Sequence, residues 1–299
     1  MIDGEALARA GTGLQDRFGP EAAAQFGAEL PDRLRALAEE WGIEVGPLID
    51  TGASAVVLEA RLGSGESGVV KISPDAGALA QQVWMLEHLA PTGRVPAVYT
   101  AAAGAVLMER VLPGQEVGAD RQGPPTVAEW ADLLQDLHST PTAAVTESLD
   151  DRCADMFDRI GARQRAEAVR TQVCDALWDR TVELCRELLA ARTHQAVIHG
   201  DLHLGNVLTS DERGLVAVDP KLCVGDRCFD MVDFVAVAGD AEQMTARAMR
   251  LAALTGVGTD VLLAWSAVNA VVTAISLLTW DAESQRSREL LVFADRHLG

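Results

Sequence analysis

The chain has 299 residues, about twice the length of a common single domain, so two lobes are expected. Its apolar share of 48% and charged share of 23% exclude a disordered chain and allow a core that needs no disulfide or metal staple. A formal charge of −19 argues against a nucleic-acid partner, which needs clustered Lys and Arg, and is compatible with a cationic small molecule.

Residues 20–42 show apolar positions at helical spacing, broken by Pro31 and closed by Gly42, and read as two helices. From Gly46 the period changes. Segments 46–50, 54–60 and 67–73 are short, rich in Val and Ile, and separated by turns such as LGSGESG, which predicts a strand meander. Asp75 to Ala90 returns to helical spacing, with Leu79, Val83, Leu86 and Leu89 on one side. Strands at 96–100 and 104–110 follow, and LPGQ (112–115) reads as a linker. Beyond it, helices are expected at 126–138 and 153–192, then a strand at 196–198, a polar loop, a hairpin (207–209 and 215–218 around SDERG) and two helical stretches from about residue 230. The expected class is α+β with two lobes. Residues 1–112 form a small lobe, helical to residue 45 and then a five-stranded antiparallel sheet with one helix. Residues 113–299 form a larger, mostly helical lobe.

Five cysteines without a C-x-x-C signal neither a disulfide framework nor a zinc site. MIDGEALARAG lacks a basic, apolar leader pattern, and the apolar run 265–278 is short for a bilayer span. A cytoplasmic protein without a membrane partner is expected; the oligomeric state is left open.

Chemistry concentrates in HGDLHLGNVL (199–208). If the hairpin turns near Glu212, Asn206 falls opposite Val218, beside Asp219. An amide oxygen and a carboxylate side by side suit a hard cation such as Mg²⁺. Asp201, upstream in the loop, stays available to accept a proton from an attacking hydroxyl. A base Asp, an Asn five residues on and a metal-binding Asp after a hairpin form the layout of phosphoryl transfer. A His-His-Asp metal site built on His199 and His203 is the rival reading, and it lacks further ligands nearby. The chain has only two lysines, Lys71 and Lys221, and a compact ammonium can serve where Arg cannot; for Lys221 a phosphate contact and plain surface are both open.

HGDLHLGNVL followed by VAVDP resembles the catalytic loop and metal-binding Asp of the protein-kinase-like small-molecule kinases, among them the aminoglycoside phosphotransferases and choline kinases. Gly200 stands where protein kinases usually carry Arg. The resemblance implies a protein-kinase-like fold and roles for particular residues. Lys71, in GVVKIS, corresponds to the phosphate-gripping lysine. Gly52, Ala53 and Ser54 stand where a Gly-rich phosphate loop would, although only one glycine is present. Met108, Glu109 and Val111 of LMERVLPG fall at the hinge that binds the adenine edge. The acid expected to pair with Lys71 is missing: Gln82 occupies its place, and Glu87 is the nearest carboxylate. In GDRCFD, Asp226 and Asp230 match a family pattern and read as structural.

The whole chain is similar to the streptomycin 6-phosphotransferase and hydroxyurea phosphotransferase branch. This implies ATP as donor, with GTP also open, Mg²⁺, and a cationic hydroxyl acceptor such as streptomycin. Trp280 and Asp281, in LLTWDAES, are the candidate acceptor contacts, one for stacking and one for a guanidinium. The alternatives are a kinase of another hydroxyl compound (amino alcohol, sugar or hydroxyurea type) and a catalytically weak nucleotide-binding regulator.

Overall fold

The computed structural model describes residues 14–52, 54–118 and 123–298. The chain divides into two compact units after Gly114. The first contains helix α1 (Pro20–Trp41), strands β1 (Ile43–Gly52), β2 (Ala55–Leu62) and β3 (Ser67–Ile72), helix α2 (Ala76–Leu89), and strands β4 (Val98–Ala102) and β5 (Ala105–Glu109). The strands form one antiparallel sheet in the order β1-β2-β3-β5-β4.

The expected pair of N-terminal helices is a single helix with Pro31 inside it. An internal proline costs about 3 kcal/mol. Phe26, Leu30, Leu34 and Leu37 lie along one stripe of α1 and bury themselves against Val56, Leu58, Val70 and Ile72 of the sheet. Each such side chain contributes about 1.5–3 kcal/mol, so the stripe outweighs the proline. Gly42 ends the helix in the left-handed region at φ 63, with its N–H donating to Ala38 O. β1 therefore starts at Ile43, three residues before the expected boundary, and Ile43 pairs with Leu62. Strand alternation sends Val70 and Ile72 toward α1 and the intervening Lys71 to the opposite face.

The second unit contains β6 (Pro113–Glu116, which straddles the division), α3 (Val127–Leu137), α4 (Leu149–Gln164), α5 (Asp175–Ala191), β7 (Gln195–Ile198), β8 (Val207–Ser210), β9 (Gly214–Ala217), β10 (Cys223–Asp226), α6 (Ala241–Thr255), α7 (Thr259–Trp280) and α8 (Gln285–His297). The expected linker 112–115 is thus largely strand. Gln115 N–H donates to Thr209 Oγ1 (3.3 Å) and Val117 N–H to Val207 O (2.9 Å), adding β6 to the β8-β9 hairpin. The stretch 153–192 is broken between α4 and α5, where Gln164 Nε2 donates to Val173 O (3.1 Å) and Asp175 Oδ1 (3.0 Å). α7 has 22 residues, more than its apolar run suggested, and by length and composition is sufficient to cross a bilayer. It is instead the central packing element, in contact with α4, α5, α6 and α8, with 61% of its apolar window buried. Trp130 of α3 stacks on Phe234 at 5.0 Å and closes the same core.

Candidate functional site

The polar loop 199–206 is anchored at both ends by strands. β7 pairs with β10, placing Ile198 against Cys223, and Lys221 N–H donates to His199 O at 2.8 Å. At the other end Val207 pairs with Ala217, and Val218 N–H donates to Asn206 O at 2.8 Å. Asn206 therefore lies opposite Val218, next to Asp219, as the hairpin arithmetic requires. Asp219 leaves β9 at φ 54, a left-handed conformation that a non-glycine residue adopts at a cost and that recurs at functional sites. The Asn206 amide nitrogen donates to Asp201 O at 2.9 Å, which turns its oxygen away from that contact.

His199 is buried and braces the loop. Its Nε2 lies 3.0 Å from Val218 O, and Asp201 N–H donates to its Nδ1 at 3.4 Å. Burial holds the imidazole below its ordinary pKa despite the attraction of Asp230 and Asp201, so the ring is neutral and donates from Nε2. His203 is exposed. Among the described residues no group of three or more His, Cys, Asp or Glu side chains is placed to hold a metal ion.

Asp230 is the structural centre of the loop. It is 1% exposed and accepts from His199 N–H (2.7 Å) and Gly200 N–H (2.9 Å), with His138 Nε2 at 3.0 Å. Burial alone would raise its pKa; the His138 hydrogen bond and charge, His199 and the Gly200 N–H outweigh burial and hold it below the usual carboxylate range. Asp226 plays a separate part: it accepts from Cys228 N–H (2.9 Å) and Thr193 Oγ1 (2.6 Å), capping the 3₁₀ turn Arg227–Met231. Gly200 has φ 77, and a Cβ there would stand 2.3 Å from Lys221 O. Gly200→Ala is expected to destabilise the protein by about 1–3 kcal/mol and to lower kcat, because the backbone at 221 must move; thermal unfolding and turnover of the variant check this.

Asp201 stands between two cations. Lys221 Nζ is 2.7 Å from Oδ2, and Arg152 Nη2 is 3.7 Å from Oδ1. The same carboxylate lines a cavity of about 380 Å³ with Glu147, Asp151, Asp155, Asp233 and Asn269. α4 supplies much of this wall because its start is tied to β10: Val224 N–H donates to Glu147 O (2.8 Å), and Ser148 Oγ caps the helix through Asp151 N–H. Asn269 Nδ2, from the middle of α7, donates to Asp233 Oδ1 at 3.3 Å. Burial raises the Asp233 pKa, and neither Asn269 nor His203 offsets it.

Trp280 and Asp281 are not brought to this cavity. Trp280 is 85% exposed at the end of α7, roughly 16 Å along the helix axis from Asn269 at about 1.5 Å per residue. Asp281 accepts from Glu283 N–H at 3.0 Å and so caps a turn. Arg152, Asp233, Asn269 and His138 escaped the sequence reading. The i, i+3 spacing of Asp230 and Asp233 was the one available signal, and nothing local links His138 to residue 230.

In the first unit, Lys71 is 7% exposed, with Val57 and Val106 as its register partners. Gln82 is half-buried on α2, whereas Glu87 is exposed. Ser54 O accepts from Ser73 Oγ at 2.7 Å, which ties the β1–β2 turn to the end of β3. Gly52 ends β1, and Ala53 lies outside the described residues. Met108 and Val111 are buried; Glu109 N–H donates to Ala97 O at 2.8 Å.

The family model described as aminoglycoside/hydroxyurea antibiotic resistance kinase matches residues 40–279. The chain is 26% identical to a hydroxyurea phosphotransferase of Kitasatospora aureofaciens over 90% of this chain and 78% of that one. It is 24% identical to a streptomycin 6-kinase of Streptomyces glaucescens over 72% of this chain and 69% of that one. An aminoglycoside phosphotransferase of Streptomyces rimosus, solved in complex with ADP and streptomycin, superimposes with a TM-score of 0.57 at 20% identity, covering 82% of this chain and 98% of that one. The fold is protein-kinase-like, with an antiparallel sheet in the N-terminal unit and a mostly helical C-terminal unit.

Proposed function

Because the chain belongs to the aminoglycoside/hydroxyurea antibiotic resistance kinase family and is a small-molecule phosphotransferase, we propose that it transfers the γ-phosphoryl group of ATP to a hydroxyl of a cationic, streptomycin-like aminoglycoside. The observation that carries this reading is the acid-lined cavity beside Asp201, where Glu147, Asp151, Asp155 and Asp233 outnumber Arg152 and Arg159. Carboxylates pair with guanidinium and ammonium groups through charge-assisted hydrogen bonds. The hydroxyurea phosphotransferase relative, aligned over most of the chain, supports a second reading in which a small hydroxylamine-type hydroxyl is the acceptor.

In this reading Asp201 orients the acceptor hydroxyl and takes its proton as the oxygen attacks the γ phosphorus. Lys71 holds the α and β phosphates from the face of β3 opposite α1. Gly52, Ala53 and Ser54 are assigned to phosphate binding by their place in the sequence. Met108, Glu109 and Val111 receive the adenine edge, and Gln82, standing where protein kinases carry an acid, or Glu87 partners the Lys71 ammonium. The oxygen donors of Asn206 and Asp219 fit Mg²⁺, which supplies charge neutralisation to the phosphates when bound. GTP remains an alternative donor.

Asp233→Asn is expected to raise the acceptor KM by roughly 10- to 100-fold, the equivalent of one charged hydrogen bond of about 1.5–3 kcal/mol. Trp280→Ala is expected to move it far less, since a contact there requires an acceptor that spans about half the length of α7. The test of the function is ATP consumption with Mg²⁺ against aminoglycosides, hydroxyurea, choline and no acceptor. Streptomycin-dependent turnover supports the first reading. Turnover with hydroxyurea alone supports the second, and none with any acceptor overturns both.

A further inference from the structure

The second of the two lysines sits in the connection between β9 and β10, packed against the loop 199–206 rather than on an indifferent surface. Lys221 follows Asp219 by two residues, and its N–H is bonded to His199 O. Gly200 leaves no space for a Cβ against Lys221 O, so the two backbones pack directly. The position of the Lys221 Cα relative to Asp201 is therefore fixed by the fold. Its side chain, by contrast, is 57% exposed and reaches Asp201 Oδ2 at 2.7 Å. An exposed ion pair of this kind contributes little to stability, about 0–1 kcal/mol. The energetic reason for keeping a lysine here lies elsewhere, in a chain that uses Arg at every other basic position but Lys71.

The geometry points to Lys221 as a further catalytic residue whose ammonium bridges Asp201 and the phosphoryl group in flight. The inference rests on the reading of Asp201 as the acceptor-binding base. An acceptor oxygen hydrogen-bonded to Asp201 lies about 2.6–3.2 Å from its carboxylate. The phosphorus it attacks is then beside the carboxylate and within the sweep of a lysine already in contact with it. In the transfer, the acceptor O–H proton passes to Asp201, the acceptor O–P bond forms, and the bond from the γ phosphorus to its bridging oxygen breaks to leave ADP. Negative charge is spread over the three equatorial oxygens, where a cation held nearby acts. Lys221 supplies that cation from the acceptor side, and Arg152 continues to hold Asp201 Oδ1 when the ammonium turns toward phosphate. Arg152 Nε is itself buried without a hydrogen-bond partner, and the guanidinium meets Asp201 through Nη2.

The test compares wild type, Lys221→Ala, Lys221→Arg and Asp201→Ala. Calorimetry gives the Kd for MgADP alone and for MgADP with aluminium fluoride, a mimic of the transferring phosphoryl group, and needs no acceptor. Turnover is read with streptomycin. Lys221→Ala is expected to weaken the aluminium fluoride complex and lower kcat by about 10²–10³-fold, with MgADP affinity and the ATP KM unchanged and partial recovery in Lys221→Arg. Equal affinity of wild type and Lys221→Ala for the aluminium fluoride complex overturns the inference, as does an equal loss for MgADP alone. If Asp201→Ala retains full turnover, the reading of the site fails instead, and the two failures are thereby separated.

Discussion

Asp201→Ala is expected to lower acceptor-dependent turnover by at least about 10²–10⁴-fold, the usual contribution of general-base help, while leaving ATP affinity nearly intact. The separation follows from the geometry. The Asp201 side chain faces the acid-lined cavity and its two cations, whereas its main-chain oxygen holds the Asn206 amide. Truncation to alanine keeps that main-chain contact, so the Asn206 and Asp219 pair keeps its support. Calorimetric titration with MgATP and a coupled turnover assay on the same preparation check both halves. A loss of nucleotide affinity as large as the loss of rate contradicts a base role and makes Asp201 part of the nucleotide site.

The second large effect belongs to a residue that touches no reactant. Asp230→Ala is expected to destabilise the second unit by about 3–5 kcal/mol, because it strands His138 and two buried N–H groups that have no other acceptor in place. For a unit of this size the loss corresponds to a fall in Tm of roughly 6–20 °C. The pH dependence has a defined sign. Asp230 has a folded pKa below its unfolded value of about 3.9, so its contribution is fully present above that value and is lost as pH falls through the lower folded pKa. His199, buried neutral with its pKa depressed, adds a loss in the same direction that begins as pH falls below about 6.5. Asp230→Ala therefore flattens the acid limb of a stability-versus-pH curve below about pH 4, and chemical denaturation at stepped pH measures it. Retention of the wild-type acid limb contradicts the assignment.

The geometry of the polar loop 199–206 was legible in the sequence because it is local. The hairpin is short, its strands have a period of two, and its turn is marked by SDERG, so the register that sets Asn206 opposite Val218 follows from counting. The sheet of the first unit was legible for the same reason, down to Lys71 in β3. What local pattern did not carry is the support from outside. His138 reaches Asp230 across 92 residues and Asn269 reaches Asp233 across 36, and neither pair leaves a periodic trace. The continuous α1 shows the opposite case, in which a strong local signal at Pro31 was overridden by burial of one apolar stripe. The strand at 113–116 was hidden because its partners, Val207 and Thr209, lie in a hairpin nearly a hundred residues away.

The central claim is that this protein phosphorylates a hydroxyl of a cationic acceptor with ATP. Mass spectrometry of streptomycin incubated with the wild-type protein and MgATP, beside the Asp201→Ala variant, tests it most directly. A single added phosphoryl group that appears with wild type and is absent with the variant is the predicted result. Unmodified streptomycin with both proteins, while wild type consumes ATP with a different acceptor, contradicts it.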